Sequence, residues 1–283
     1  MTLAALAGLG LLAGCTGGGS TGTTPAGSPA ASTAPVPTAP GGTAPASSPA
    51  AAASAPPATA PATTPLSPRQ SPAAVLAAAL AALKAGPAAH VDISTTTSEG
   101  AITFSDDATA AGGRQLISTS AGGDVTILFI AGVGYVQANV AGLVGFMQVP
   151  QSQAQSEAGS WISIRPGEEL GQNDYDDVVD GITLSSVATE LTIAGPLTLT
   201  ALTTVAGQQA IGVQGRAPAS MQLPSTARVT LYVATSDARP LRYQVSGVSG
   251  YTDQITFSDW GERLHLAAPP NALPAAGGTP IVT

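Results

Sequence analysis

No charged residue occurs before Arg69, and this limits what the first quarter of the chain can become. From Thr16 to Pro68 the sequence is almost wholly Thr, Ser, Ala, Gly and Pro. Such a stretch has nothing large to bury and cannot offset the entropy lost on ordering. It reads as a disordered, partly polyproline-like spacer, with a reach of roughly 40 Å as a coil and on the order of 150 Å fully extended. A packed core has to come from the residues beyond it.

Ahead of the spacer an apolar run, Leu3 to Leu12, ends in Leu12-Ala13-Gly14-Cys15, and Cys15 is the only cysteine. The run is too short to cross a bilayer, which takes about 20 residues, but it has the length of a signal-peptide apolar region. No Lys or Arg precedes it, unlike the usual signal peptide. The tetrapeptide resembles the lipobox of bacterial lipoproteins. That resemblance implies cleavage before Cys15, helped by the small Ala13 and Gly14, and attachment to its sulfur of a diacylglycerol carrying palmitate-like chains. Two or more chains, at roughly 0.8 kcal/mol per buried methylene, make a stable anchor where one does not. The expected organisation is a signal peptide at 1–14, a lipidated tether at 15–68, one folded domain at 69–270 and a flexible tail at 271–283. The anchor would hold the domain on the outer face of the cell membrane.

The charges excluded from the tether all fall in the domain: nine Lys and Arg against seventeen Asp and Glu, a net charge of -8. That balance argues against nucleic-acid binding and against broad contact with anionic head groups. With Cys15 acylated, no disulfide framework is available. The Ala and Gly content points to a high-GC, actinobacterial source.

Within the domain, Ser71 and Pro72 open a helix with Leu76, Leu80 and Leu83 as its stripe, flanked by Val75 and stopped at Gly86-Pro87. Short strands follow. Val125 to Ile130, apolar on both faces, reads as a central strand. Gln151 to Ser160 reads as a polar loop, and Glu168 to Glu190 as one or two short helices. The best alternation comes last: Val229/Leu231/Val233, Leu241/Tyr243/Val245, Ile255/Phe257 and Leu264/Leu266 read as an antiparallel meander. The fold class is therefore mainly β with a few helices. Ten or eleven strands cannot lie flat in one sheet, which must curl or split in two; a curled sheet needs helices over its concave face, or something else to fill it.

A search for catalytic chemistry finds neither a Gly-x-Ser-x-Gly elbow nor a His-Glu-x-x-His pair. His90 and His265 read as surface side chains. Asp174, Asp176, Asp177 and Asp180 fail a calcium-loop count, because Val178 and Val187 stand where ligands belong, and they read as acids at a helix N-terminus. Gly167 to Gly171 lacks the lysine of a phosphate loop. Trp161 and Trp260 are candidate pocket residues, with core-edge packing favoured for Trp260. No enzyme, cofactor or metal site is expected.

The closing stretch Gly250-Tyr251-Thr252-Asp253-Gln254-Ile255-Thr256-Phe257-Ser258-Asp259-Trp260-Gly261, followed by Leu264-His265-Leu266 and Pro269-Pro270, resembles the C-terminal signature of the LppX/LprA/LprF/LprG lipoproteins of actinobacteria. Val133-Gly134-Tyr135-Val136, Trp161-Ile162, the hairpin Val205 to Val213 and Arg239-Pro240-Leu241-Arg242 resemble further segments of that family, in the same order. The resemblance implies a LolA/LolB-like half-barrel whose apolar cavity takes the acyl chains of envelope lipids or lipoglycans, passed to or from an envelope transporter. The candidate lining is Ile102, Phe104, Leu231, Val233, Tyr243, Val245, Ile255 and Phe257. The alternative is a non-catalytic assembly module with the same fold and no usable cavity.

Overall fold

The computed structural model describes residues 65–275. The readings on Cys15, its lipobox, the tether up to residue 64 and the tail from residue 276 lie outside the described residues. Helix α1 (Pro72–Ala85) begins where the sequence places it. Ser71 Oγ accepts the Ala74 N–H at 3.2 Å, and Pro72 occupies a position whose N–H would have no helical partner. The buried stripe, however, is Val75, Ala79 and Leu83, with Leu76 and Leu80 half-buried beside it. Ala79 lets the helix sit close, so the leucines straddle the contact instead of filling it.

Two meanders follow. The first runs through β1 (Ala88–Thr97), β2 (Gly100–Thr109), β3 (Gly113–Thr119), β4 (Asp124–Ile130), β5 (Val133–Ala138) and β6 (Trp161–Ile164). Between β4 and β5, Ala131 and Gly132 both have positive φ, the geometry that matches the twist of a two-residue hairpin. The expected strand Val125 to Ile130 is β4, an interior strand of the sheet. The second meander runs through β9 (Ala194–Leu199), β10 (Thr203–Val205), β11 (Gln208–Arg216), β12 (Arg228–Ala234), β13 (Pro240–Ser246) and β14 (Thr252–Ser258). Antiparallel pairing of β14 with β1 joins the two halves into one 13-stranded sheet with free ends at β10 and β15 (Leu273–Pro274). A twisted sheet of that length curls, and here it stays unclosed. The strands beyond the expected ten or eleven are short ones, β10 of three residues and β15 of two. A separate hairpin pairs β7 (Glu169–Leu170) with β8 (Asn173–Asp174).

Four details differ from the sequence reading. The loop expected over Gln151 to Ser160 holds α3 (Gln151–Glu157), preceded by α2 (Val140–Gly145), which Asn139 caps by accepting the Gly142 N–H at 2.7 Å. Helix α3 buries only Ala154, so no apolar period announces it. Leu264 to Leu266 forms no strand, because β13 and β1 already take both edges of β14. The chain instead crosses to the far edge, where Leu273 and Pro274 pair in parallel with β6 and Ala275 is buried, so this part of the tail is held. Leu241 leaves the row of Tyr243 and Val245, since the β12–β13 register shifts there, and packs with Val205, Ala210 and Ala234.

Helices cover one face of the sheet, its inner face. Helix α1 and α5 (Leu184–Glu190) lie together, and α1 packs on β9, β11, β12 and β13. Helices α2 and α4 (Tyr175–Val179) lie on β4 and β5. Helices α4 and α5 are the pair expected between Glu168 and Glu190, parted by Gly181 at φ 80°. The apolar residues beneath form two separate clusters. One is centred on Leu83, Leu184, Leu231 and Phe257, the other on Ile117, Leu143, Ile164 and Ile182.

Candidate functional site

The two clusters are parted by polar side chains on the inner face of the central strands. Asp253 of β14 sits opposite Thr95 of β1, and Thr95 Oγ1 donates to its Oδ1 at 2.9 Å. Asp106 of β2 sits opposite Gln115 of β3, whose Nε2 donates to Asp106 Oδ2 at 3.4 Å. Both aspartates are essentially solvent-free, at 1% and 0% exposure, and Asp253 Oδ2 and Asp106 Oδ1 have no hydrogen-bond partner. Burial pushes Asp106 up to about 8 against the pull of the Gln115 bond, so at neutral pH it is largely the uncharged acid. Burial likewise raises Asp253, opposed by the Thr95 hydroxyl. The two pairs make a broken polar seam, since Ile102 stands across from Thr95 and Val91 across from Asp106.

Beside the seam lies a cavity of about 530 Å³, within the roughly 300–1,000 Å³ typical of small-molecule sites. Its floor is Thr95, Ile102 and Thr119. Phe146 and Gly145 at the end of α2 form one wall, and Gln172, Asn173 and Asp177 form another. Phe146 meets Phe104 edge to face at 6.2 Å, so Phe104 supports the wall from behind. Asn173 is held by donating from Nδ2 to the Met147 carbonyl at 2.8 Å. A second, more open hollow of about 370 Å³ lies over Phe129, Val179, Asp180, Thr183 and Ser186.

The eight candidate lining residues divide between these surroundings. Ile102 borders the 530 Å³ cavity and Phe104 lies behind its wall. Leu231, Val233, Tyr243, Val245, Ile255 and Phe257 instead share the first apolar cluster, all under 9% exposed. They stand on the inner face, buried in the cluster that Leu83 of α1 and Leu184 of α5 also join. The other cavity residues, chiefly Phe146, Gly145, Gln172 and Asn173, come from segments with no periodicity, so sequence patterning passes over them.

The remaining candidates fall outside the cavity, Asp177 excepted. Asp174 caps α4 by accepting the Asp177 N–H at 3.0 Å. Trp260 stacks on Phe257 at 6.2 Å and lies under the Arg239 guanidinium at 5.4 Å. His90, expected as a plain surface residue, is three-quarters buried on the outer face between two carboxylates. Its Nδ1 is 2.8 Å from Asp107 and its Nε2 is 3.2 Å from Asp92. Partial burial opposes its protonation, but the Asp107 bond and the charges of Asp92 and Asp107 prevail and raise its pKa. Ser105 Oγ lies 3.4 Å from the same Nε2, which places a serine, a histidine and an aspartate in line. A carboxylate at each nitrogen favours the imidazolium, which donates from both nitrogens and cannot take the serine proton, so the arrangement works against a nucleophile pair.

An open, curled antiparallel sheet with helices laid along one face and a cavity beneath them is a half-barrel. Among solved structures, the chain is similar to lipoprotein LppX of Mycobacterium tuberculosis, at 17% identity over 70% of this chain and 100% of that one, with a TM-score of 0.43. It is also similar to LprF of Mycobacterium bovis, at 15% identity over 73% and 99% of the two chains, TM-score 0.42. A LolA-superfamily protein of Nitrosomonas europaea is a further neighbour, at 12% identity over 70% and 96%, TM-score 0.25. No family model matches the chain. No curated protein matches it either.

Proposed function

We propose that the chain is a lipid-anchored envelope carrier that shelters acyl chains against the inner face of its half-barrel. Cys15 would tether it to the outer face of the cell membrane, and an envelope lipid transporter would be its partner in transfer. The observation that supports this reading is the 530 Å³ cavity, floored by Ile102 and walled by Phe146 beside the second apolar cluster. The process is partition, with affinity from burial of apolar area at roughly 25 cal/mol per Å². No bond is made or broken in this cycle.

A second reading draws on the other six candidates. Leu231, Val233, Tyr243, Val245, Ile255 and Phe257 are buried together in one apolar cluster, which suits a non-catalytic assembly module that presents its loops to a partner. One variant separates the two. Gly145 borders the cavity, and a Cβ added there meets nothing within 4 Å, so Gly145→Trp plugs the space at little cost to the fold. Native mass spectrometry of the full chain with Cys15→Ser, purified from an actinobacterial host, is expected to show bound acylated lipid that Gly145→Trp removes. A lipid-free chain whose uptake of a fluorescent acyl probe is nil with or without the tryptophan would favour the assembly module.

A further inference from the structure

The carrier reading leaves open which head group the cavity tolerates, and its charges bear on that. The two ionisable side chains that line it, Glu99 and Asp177, are both acids. None of the nine Lys and Arg residues lines it, although all nine lie among the described residues. The rest of its polar lining is neutral and able to pair with hydroxyls: Gln148, Gln172, Ser120 and Thr119 among others. A phosphate, sulfate or carboxylate entering with an acyl chain would shed water beside two carboxylates and find no Lys or Arg in the described lining to replace it. A hydroxyl loses less on entry and finds both donors and acceptors among amides, hydroxyls and carboxylates.

We propose, resting on the carrier reading, that this cavity takes amphiphiles with an uncharged, hydroxyl-bearing head group and rejects those with an anionic one. Glu99 sits in the two-residue turn between β1 and β2, so its carboxylate is exposed and acts at the mouth. Its effect is accordingly screened by salt, over a Debye length of about 10 Å at 0.1 M.

The test uses the full chain with Cys15→Ser and three dodecyl probes below their micellar concentrations: 1-O-dodecylglycerol, dodecyl phosphate and dodecyltrimethylammonium. Affinities are read by displacement of a fluorescent acyl probe. The glycerol ether is expected to bind about tenfold or more tightly than the phosphate at low salt, with the ratio falling as salt is added. Glu99→Gln is expected to narrow that ratio several-fold and leave glycerol-ether binding unchanged. Phosphate binding equal to or tighter than the glycerol ether, blocked by Gly145→Trp, would overturn the head-group inference while the carrier reading stands. Ammonium binding tenfold tighter than the glycerol ether would show that charge alone selects, and would overturn the hydroxyl preference. Failure of every probe to bind would overturn the carrier reading and this inference with it.

Discussion

Thr95 donates its hydroxyl to the buried carboxylate of Asp253 across the one pairing, β1 with β14, that joins the two meanders. The residues are 158 positions apart in sequence. The bond therefore closes a long loop of the domain with a side-chain contact, and it does so at the edge of the cavity.

Thr95→Val keeps the shape and removes that donor. Asp253, 1% exposed and with its other oxygen already unpartnered, would be left with no hydrogen bond. The expected cost is about 2 kcal/mol, since an orphaned buried polar group forfeits its hydration without replacement. Urea unfolding followed by circular dichroism measures it, and a midpoint equal to that of the parent chain would mean that the seam contributes nothing to holding the halves together.

Asp106 sets a pH dependence. Its pKa is raised from 3.8 to about 8 in the folded chain, so the native state holds a proton that the unfolded state releases. The stability that proton confers is fully present below pH 3.8 and is lost progressively as pH rises through about 8. Asp106→Asn, which cannot ionise, is expected to flatten this slope and to stabilise the fold at pH 9 by on the order of 3 kcal/mol relative to the parent. Unfolding free energies at pH 5, 7 and 9 (about two units apart) would show parallel profiles for the two chains if Asp106 ionised freely.

His90 works in the opposite chemical sense on the outer face. As a base with a raised pKa, it contributes stability that is fully present below its ordinary value of 6.5 and fades as pH rises through the folded value. Its partner Asp107 is raised by burial but lowered more strongly by the bond from His90 and the Arg114 charge, so its share is lost as pH falls through its own depressed value. His90→Gln is expected to cost about 1 kcal/mol or less at pH 6, given partial exposure, and less still at pH 9. An equal cost at both pH values would assign His90 to packing alone.

Phe146 is the wall that can be removed. Phe146→Ala deletes a 7%-exposed ring and its edge-to-face contact with Phe104, with an expected cost of about 3 kcal/mol. The same change enlarges the cavity. Long acyl probes should gain affinity relative to short ones, a shift that destabilisation alone would not produce, and a uniform loss across chain lengths would detach Phe146 from the binding face.

The β-rich character and most of the strands could be read from alternation along the chain, because period-2 burial is a local property. Leu231 with Val233, Tyr243 with Val245, and Ile255 with Phe257 were legible as sharing a face for that reason. Whether an inward-facing residue meets a ligand or a helix depends on what lies across from it. Helices α2 and α3 bury too little apolar surface to show a period, so the wall they build around Phe146 and Gly145 has no sequence signature. His90, Asp106 and Asp253 likewise look like ordinary strand polars until the register places their partners.

The sequence by itself determined which side chains share a face on most strands. Tertiary structure alone decided that β14 pairs with β1, that α1 and α5 lie together over one apolar cluster, and that the cavity lies beside the other. Those outcomes depend on contacts between segments more than a hundred residues apart, such as Thr95 with Asp253, whose free energy exists only once the chain has closed the loop between them.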